Sequence, residues 1–155
     1  MIDTPHITDT AAQLVAFIHL TIPRDDIRHV MGPGLTEVLA AVKTQGIGPT
    51  GAWFTHHLKM TAEQFDFEIC VPVSAPFTPI GRVQAGELAA RNNVARTIYH
   101  GPYEGMGEAW AKFMGWIEEN GHRPAPDLWE VYAAGPESSP DPANWRTELN
   151  RPLLD

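Results

Sequence analysis

Two short segments with the same alternating pattern constrain the fold of this chain most strongly. Residues 65–72 (FDFEICVP) and 145–152 (WRTELNRP) both alternate between apolar and more polar side chains. This period of two is typical of a β-strand with one buried face. Each segment carries a glutamate, Glu68 or Glu148, on its less apolar face, four residues before a proline. The two segments therefore indicate that one structural unit occurs twice.

The same duplication is visible in two helical patterns. The closing glycines Gly46 and Gly121 are 75 residues apart, as are Phe54 and Trp129. The offset grows to 80 at the two glutamates, because the loop over 135–143 is five residues longer than its counterpart. An offset of 75 also aligns apolar residues with the i, i+3, i+4, i+7 spacing of a helix: Leu35, Val38, Leu39 and Val42 with Trp110, Phe113, Met114 and Ile117.

Local patterns predict the order of elements in each copy. The first copy reads as a strand over 11–22 ended by Pro23, a helix entered from Gly32-Pro33-Gly34, and strands over 53–58 and 65–73. The second reads as a strand over 94–99, the second helix, and strands over 128–133 and 145–153. A further short strand is predicted within 81–88. We therefore expect one α+β domain over 1–155, with repeat one at about 11–73, a linker at 74–82 and repeat two at 83–153.

One helix per repeat covers one face of an antiparallel sheet and leaves the other face open. The helices should pack on the more apolar side of each strand, so the other side chains should point toward the open face. Tyr99 and Thr97 are also assigned to the open face by their spacing. The open-face set is Phe17, His19, Asp66, Glu68, Arg146, Glu148 and Asn150.

Composition excludes several classes of protein. Eleven basic and nineteen acidic residues give a net charge of −8, and the chain has no run of five basic residues. We therefore predict no nucleic-acid binding, and at a shielded site the acidic balance favours a cationic partner. No segment approaches the roughly 20 apolar residues of a membrane span, and residues 1–10 do not form a secretory signal. With Cys70 as the single cysteine, we expect a cytoplasmic protein without disulfides.

At this point the chain resembles a known family. His100-Gly101-Pro102-Tyr103-Glu104, the helix from Trp110 to Gly121, Trp129-Glu130-Val131-Tyr132 and Trp145-Arg146-Thr147-Glu148-Leu149 are similar to the GyrI-like small-molecule-binding domain. The same domain forms the effector-binding part of many AraC- and MerR-type transcription regulators. The resemblance extends from about residue 11 to 153 and includes the repeat.

The resemblance implies a pseudo-twofold axis between the repeats and a ligand cleft on the open sheet face. Family members that resemble multidrug sensors bind lipophilic, often cationic compounds against aromatic walls and a buried glutamate. The family's recurrent glutamate in the final strand matches Glu148. Some stand-alone members are similar in sequence and hydrolyse cyclopropane-bearing natural products with that glutamate. With about ten residues before the first predicted strand, we expect no helix-turn-helix in this sequence.

Glu148 is the first candidate for a site residue. In a dry aromatic cleft it is either an electrostatic anchor for a cation or a general acid or base. The structural alternative is a surface glutamate paired with Arg146 or Arg151. Glu68 is a weaker candidate, supported by symmetry alone. The other predicted ligand-binding residues are Phe17, Phe54, His56, Tyr99, Tyr103, Trp129, Tyr132 and Trp145.

Neither a metal site nor a cofactor site is predicted. His56 and His57 are adjacent on a strand and so point to opposite faces, and the chain has no His-Glu-x-x-His spacing. Cys70 is expected to be a quiet thiol rather than a nucleophile.

Three hypotheses about function remain open at this point. The leading one is a stand-alone protein that captures hydrophobic small molecules, cationic ones among them, for the sensing or sequestration of drugs and other xenobiotics. The second is a hydrolase that detoxifies cyclopropanoid electrophiles through Glu148. The third is an inhibitor that binds a gyrase-like protein target. A dimer is compatible with each of them.

Overall fold

The computed structural model describes residues 1–136 and 138–154, except for the side chains of Arg28 and Met60. In this part of the chain, neither helix is long and apolar enough to cross a membrane. The elements in chain order are β1 His6–Thr10, β2 Gln13–Pro23, α1 Ile27–Gln45, β3 Phe54–Met60, β4 Gln64–Pro72, β5 Gln84–Leu88, β6 Arg91–His100, α2 Met106–Glu119, β7 Leu128–Ala134 and β8 Arg146–Pro152.

The chain divides into two compact units. The first unit is Ala11–Ala90, and its four antiparallel strands lie in the order β3-β4-β2-β5. Helix α1 packs on one face of this sheet, where Val38 and Val42 meet Ile18, Phe67 and Ile69 in a fully buried core. The face opposite α1 is called the open face below.

The second unit combines Met1–Thr10 with the chain from Arg91 onwards. Its four antiparallel strands lie in the order β7-β8-β6-β1. Helix α2 packs on one face, where Phe113 and Ile117 meet Ala95 and Leu149. This unit likewise has an open face, on the side away from α2.

The register of the strands confirms the tandem strand–helix–strand–strand repeat. Phe54 pairs with Cys70 in the first unit, and Trp129 pairs with Asn150 in the second. A glycine with left-handed backbone angles follows each helix: Gly46 directly after α1, with φ 67°, and Gly121 two residues after the end of α2, with φ 73°. The α+β fold class predicted from the sequence is therefore confirmed.

The edge strands show an exchange that the sequence did not reveal. β5 precedes β6 in the second repeat but pairs with β2 of the first repeat, whereas β1 precedes β2 but pairs with β6 of the second repeat, about 85 residues further along the chain. β1 was not predicted, because its five residues contain a single large apolar side chain, Ile7. Its pairing partner, rather than its own pattern, makes this segment a strand.

The predicted start of the first helix was wrong. α1 begins at Ile27 and contains Gly32, Pro33 and Gly34 instead of following them. A proline and two glycines lower helix propensity, but here tertiary packing overrides that preference. A Cβ atom added to Gly34 would lie 2.6 Å from Cδ1 of Ile69, so the glycine allows the helix to approach the sheet closely.

The predicted direction of Tyr99 was also wrong. Tyr99 pairs with Thr147 and packs with Phe113, so its side chain lies on the helix side of the second unit. Its hydroxyl donates to the carbonyl of Pro102 at 2.7 Å. Gly105 provides the room for that hydroxyl, because a Cβ there would lie 2.2 Å from it. Thr97 lies on the same side, because it pairs with the core residue Leu149, so the alternation of the strand holds and only the choice of face was wrong.

Candidate functional site

The open face of the first unit carries a row of aromatic and titratable side chains in register. Phe17 on β2 and Phe54 on β3 both pair with Cys70 on β4. One step along, His19 and His56 both pair with Glu68. Because alternate residues of a strand share a face, these side chains lie on the side opposite α1, as the sequence predicted.

Of these side chains, Phe17, Phe54, His56, Glu68 and Cys70 line a cavity of about 210 Å³. β5 closes one side of it through Gly86 and Leu88. Glu87 also lines the cavity, but it stands opposite Leu14, so its side chain belongs to the other face of the sheet. The open-face residues that line the cavity are Val15, Phe17, Phe54, His56, Glu68, Cys70, Gly86 and Leu88.

Glu68 is the carboxylate of this cavity. Its side chain is 22% exposed, and its Oε1 lies 3.7 Å from Nδ1 of His56, which is 12% exposed. The ring of His19 turns instead to the carboxylate of Asp66. Glu68 is thus half-buried beside a histidine that carries charge only when it is protonated.

The thiol of Cys70 does not add charge to the cavity. Burial, followed by the negative charge of Glu68, raises the pKa of Cys70 well above its usual value. The thiol therefore stays protonated at neutral pH and acts as a small apolar group. The cavity combines an apolar floor, two aromatic rings and one carboxylate.

Glu148 occupies the matching place in the second unit but in a different environment. Its Oε1 lies 3.3 Å from Nε of Arg96 and accepts a hydrogen bond from Nδ2 of Asn150 at 3.1 Å. Arg96 also donates to Oδ1 of Asn150 at 2.7 Å. Glu148 is 25% exposed and is already paired with a cation. Its partner is neither Arg146 nor Arg151, and Arg151 donates to the carbonyl of Ala125.

The other predicted site residues do not line the first-unit cavity. Trp129 is buried on the open face of the second unit, where it pairs with Asn150. Tyr103, Tyr132 and Trp145 form an aromatic cluster, with ring centroids 6.0 Å apart for Tyr103 and Tyr132 and 5.1 Å apart for Tyr103 and Trp145. Thus, of the predicted ligand-binding residues, the first-unit cavity brings together Phe17, Phe54, His56 and Glu68.

Glu130 is a half-buried carboxylate that the sequence did not single out as a site residue. Trp110 Nε1 and Tyr132 Oη donate to its two oxygens at 2.5 and 2.7 Å. Burial raises the pKa of Glu130, and the hydrogen bonds from Trp110 and Tyr132 partly offset this. The signal was its alternation with Leu128 and Tyr132, which places a charged residue on the helix side of β7. Because both oxygens are occupied by donors from the protein, Glu130 connects α2 to the sheet.

Comparison with known proteins decides the family. The sequence profile of the GyrI-like small molecule binding domain matches residues 3–153. The chain belongs to the GyrI-like small-molecule-binding domain family. The resemblance seen in the sequence is therefore confirmed. Comparison with curated protein sequences gave no match for this GyrI-like domain.

Solved structures share the fold of this GyrI-like domain. The C-terminal domain of EcmrR has a TM-score of 0.84 at 22% identity, with 98% of each chain covered. EcmrR in a complex with DNA has a TM-score of 0.83 at 21% identity. The match covers 97% of this chain and 57% of the EcmrR chain. SAV2435 bound to tetraphenylphosphonium has a TM-score of 0.68 at 12% identity, with 97% of this chain and 94% of that chain covered. At these identities the similarity shows a common fold.

The described residues of this GyrI-like domain offer no cluster of three or more His, Cys, Asp or Glu side chains arranged for a metal ion. The first-unit cavity offers its aromatic rings and the Glu68–His56 pair.

Proposed function

We propose that this protein captures hydrophobic organic cations and that the first-unit cavity is a site of capture. The observation that carries the proposal is the position of Glu68, a half-buried carboxylate in a cavity walled by Phe17 and Phe54. A carboxylate attracts a cation more strongly where water is partly excluded, and aromatic faces add cation–π attraction of about 0.5–2 kcal/mol per contact.

Glu68 is a better charge partner for a ligand than Glu148. Arg96 lies 3.3 Å from Glu148, so a cationic ligand there would have to compete with a guanidinium group. The neighbour of Glu68 is a histidine at 3.7 Å, which carries a charge only when it is protonated, whereas a guanidinium group is always charged. We propose that Glu68 is the main anchor and that Glu148 contributes less.

The family supports this class of ligand. Its described role is small-molecule binding. A structural neighbour, SAV2435, was solved with tetraphenylphosphonium, a hydrophobic cation. Because the net charge is −8, long-range electrostatic attraction favours the approach of cations.

The test is a calorimetric titration with phenethylammonium and with 2-phenylethanol, a neutral molecule of nearly the same shape. We expect the wild type to bind the cation more tightly than the alcohol. Glu68→Gln should weaken binding of the cation about tenfold, equivalent to about 1.4 kcal/mol, and should leave the alcohol unchanged.

Glu148→Gln is the matched control, because it removes the same charge from the equivalent strand. It should have a smaller effect than Glu68→Gln. The proposal fails if neither phenethylammonium nor larger cations up to tetraphenylphosphonium bind the wild type. It also fails if the two variants bind phenethylammonium as the wild type does.

A further inference from the structure

Gly86 on the edge strand β5 stands directly under the ring of Phe17. A Cβ atom added to Gly86 would lie 2.6 Å from Cε1 and 2.9 Å from Cδ1 of that ring. These separations are too short for real carbon atoms, so a residue larger than glycine at position 86 would force the ring to move. The ring of Phe17 thus leans from β2 over β5.

This lean leaves room above the middle of the sheet. Along one row of the open face, Phe17 and Phe54 flank Cys70, a residue with a short side chain. The cavity borders Cys70. Glu68, two residues before Cys70 on β4, also lines the cavity.

The corresponding row on the open face of the second unit carries different side chains. Strand register places Arg96 where the first unit has Phe17, and Asn150 where it has Cys70. Arg96 donates to Asn150 at 2.7 Å and so spans the equivalent position with a hydrogen bond. The open row of the first unit is therefore not a general consequence of the fold.

We propose that Gly86 determines the specificity of the cavity, and that the cavity takes compact primary ammonium ions with a single flat ring. This rests on the proposed function and adds the size and chemistry of the ligand. The volume of about 210 Å³ is below the roughly 300–1,000 Å³ of pockets for drug-sized ligands. The carboxylate of Glu68 suits a group that donates N–H hydrogen bonds, and the space between Phe17 and Phe54 suits a flat ring.

The test is the variant Gly86→Ala, with phenethylammonium as the probe. The added methyl group displaces the Phe17 ring. The ring then either moves into the cavity or no longer forms one of its walls, and either movement weakens binding. We expect the Kd to rise about tenfold. Gly32→Ala is the matched control, because it adds the same methyl group in the same unit with no atom within 4 Å. It should leave the Kd unchanged.

The two proposals fail in different ways. If the wild type binds phenethylammonium, Glu68→Gln weakens it, and Gly86→Ala binds as the wild type does, the role of Gly86 is overturned while the proposed function stands. If the wild type binds no cation at all, the proposed function itself fails.

A size series on the wild type avoids any loss of folding in a variant. Phenethylammonium should bind at least about tenfold more tightly than 3,3-diphenylpropylammonium, which carries the same ammonium group and a second ring. It should also bind more tightly than its N,N,N-trimethyl analogue, which has no N–H to donate. Equal or tighter binding of either larger ion would overturn the assignment of the ligand class.

Discussion

At the scale of single residues, adjacent side chains on one strand have opposite roles. His56 faces the cavity beside Glu68, whereas His57 lies on the helix side, where its ring stacks on Phe67 with centroids 5.2 Å apart. Burial, followed by the charges of His56 and Arg24, lowers the pKa of His57 to about 4. His57 is therefore neutral in the folded protein at the pH at which an exposed histidine gains its proton.

This lowered pKa predicts a loss of stability in acid. The unfolded chain takes up a proton on His57 near pH 6.5, whereas the folded protein resists doing so until about pH 4, so the free energy of unfolding falls as pH drops through that window. Between pH 8 and pH 4.5 the loss from this residue should be about 2 kcal/mol. Urea unfolding of the wild type and His57→Phe at both pH values measures it.

The variant keeps an aromatic ring against Phe67 and removes the titrating group. Its free energy of unfolding should therefore depend less on pH than that of the wild type, and the difference between the two proteins isolates His57 from the other titrating groups. An identical pH dependence in both proteins would contradict the assigned cause.

At the scale of elements, the sequence predicted segments with their own periodicity and missed those defined by their partners. The strand containing Glu68 and the helix ending at Gly46 were found because alternation and the apolar stripe are local signals. β1 has no such local signal. It forms a strand by pairing with β6, which lies far along the chain. The start of α1 was missed because the sequence around Pro33 opposes a helix that packing against Ile69 and Ile18 stabilises.

Helix α1 offers a matched pair of substitutions that tests this view. Gly32→Ala adds a methyl group in open space and should stabilise the helix by about 0.5–1 kcal/mol through propensity. Gly34→Ala has the same propensity gain but places its Cβ 2.6 Å from Ile69 and 3.1 Å from Ile18 in a packed core. Overpacking of about 1–3 kcal/mol should outweigh the gain, so this variant should unfold at a lower temperature than the wild type.

Thermal unfolding of the two variants beside the wild type gives the comparison. If Gly34→Ala were as stabilising as Gly32→Ala, close packing would not explain the glycine in the helix.

At the scale of the whole molecule, duplication predicts equivalent positions but not equivalent chemistry. The paired glutamates were visible in the sequence, and the resemblance gave Glu148 the leading role. In the structure Glu148 is paired with Arg96, a residue 52 positions earlier in the sequence that strand register brings beside it. Strand alternation predicts that one face of the sheet carries the cavity residues Phe17, Phe54, His56 and Glu68. The space between the two rings depends on Gly86, which no local pattern in the sequence marks.

The most direct test of the central claim is a crystal structure of the protein with phenethylammonium. We expect the ammonium nitrogen within hydrogen-bonding distance of the Glu68 carboxylate and the phenyl ring between Phe17 and Phe54. A ligand bound elsewhere, with the cavity beside Glu68 empty at a saturating concentration, would contradict the account.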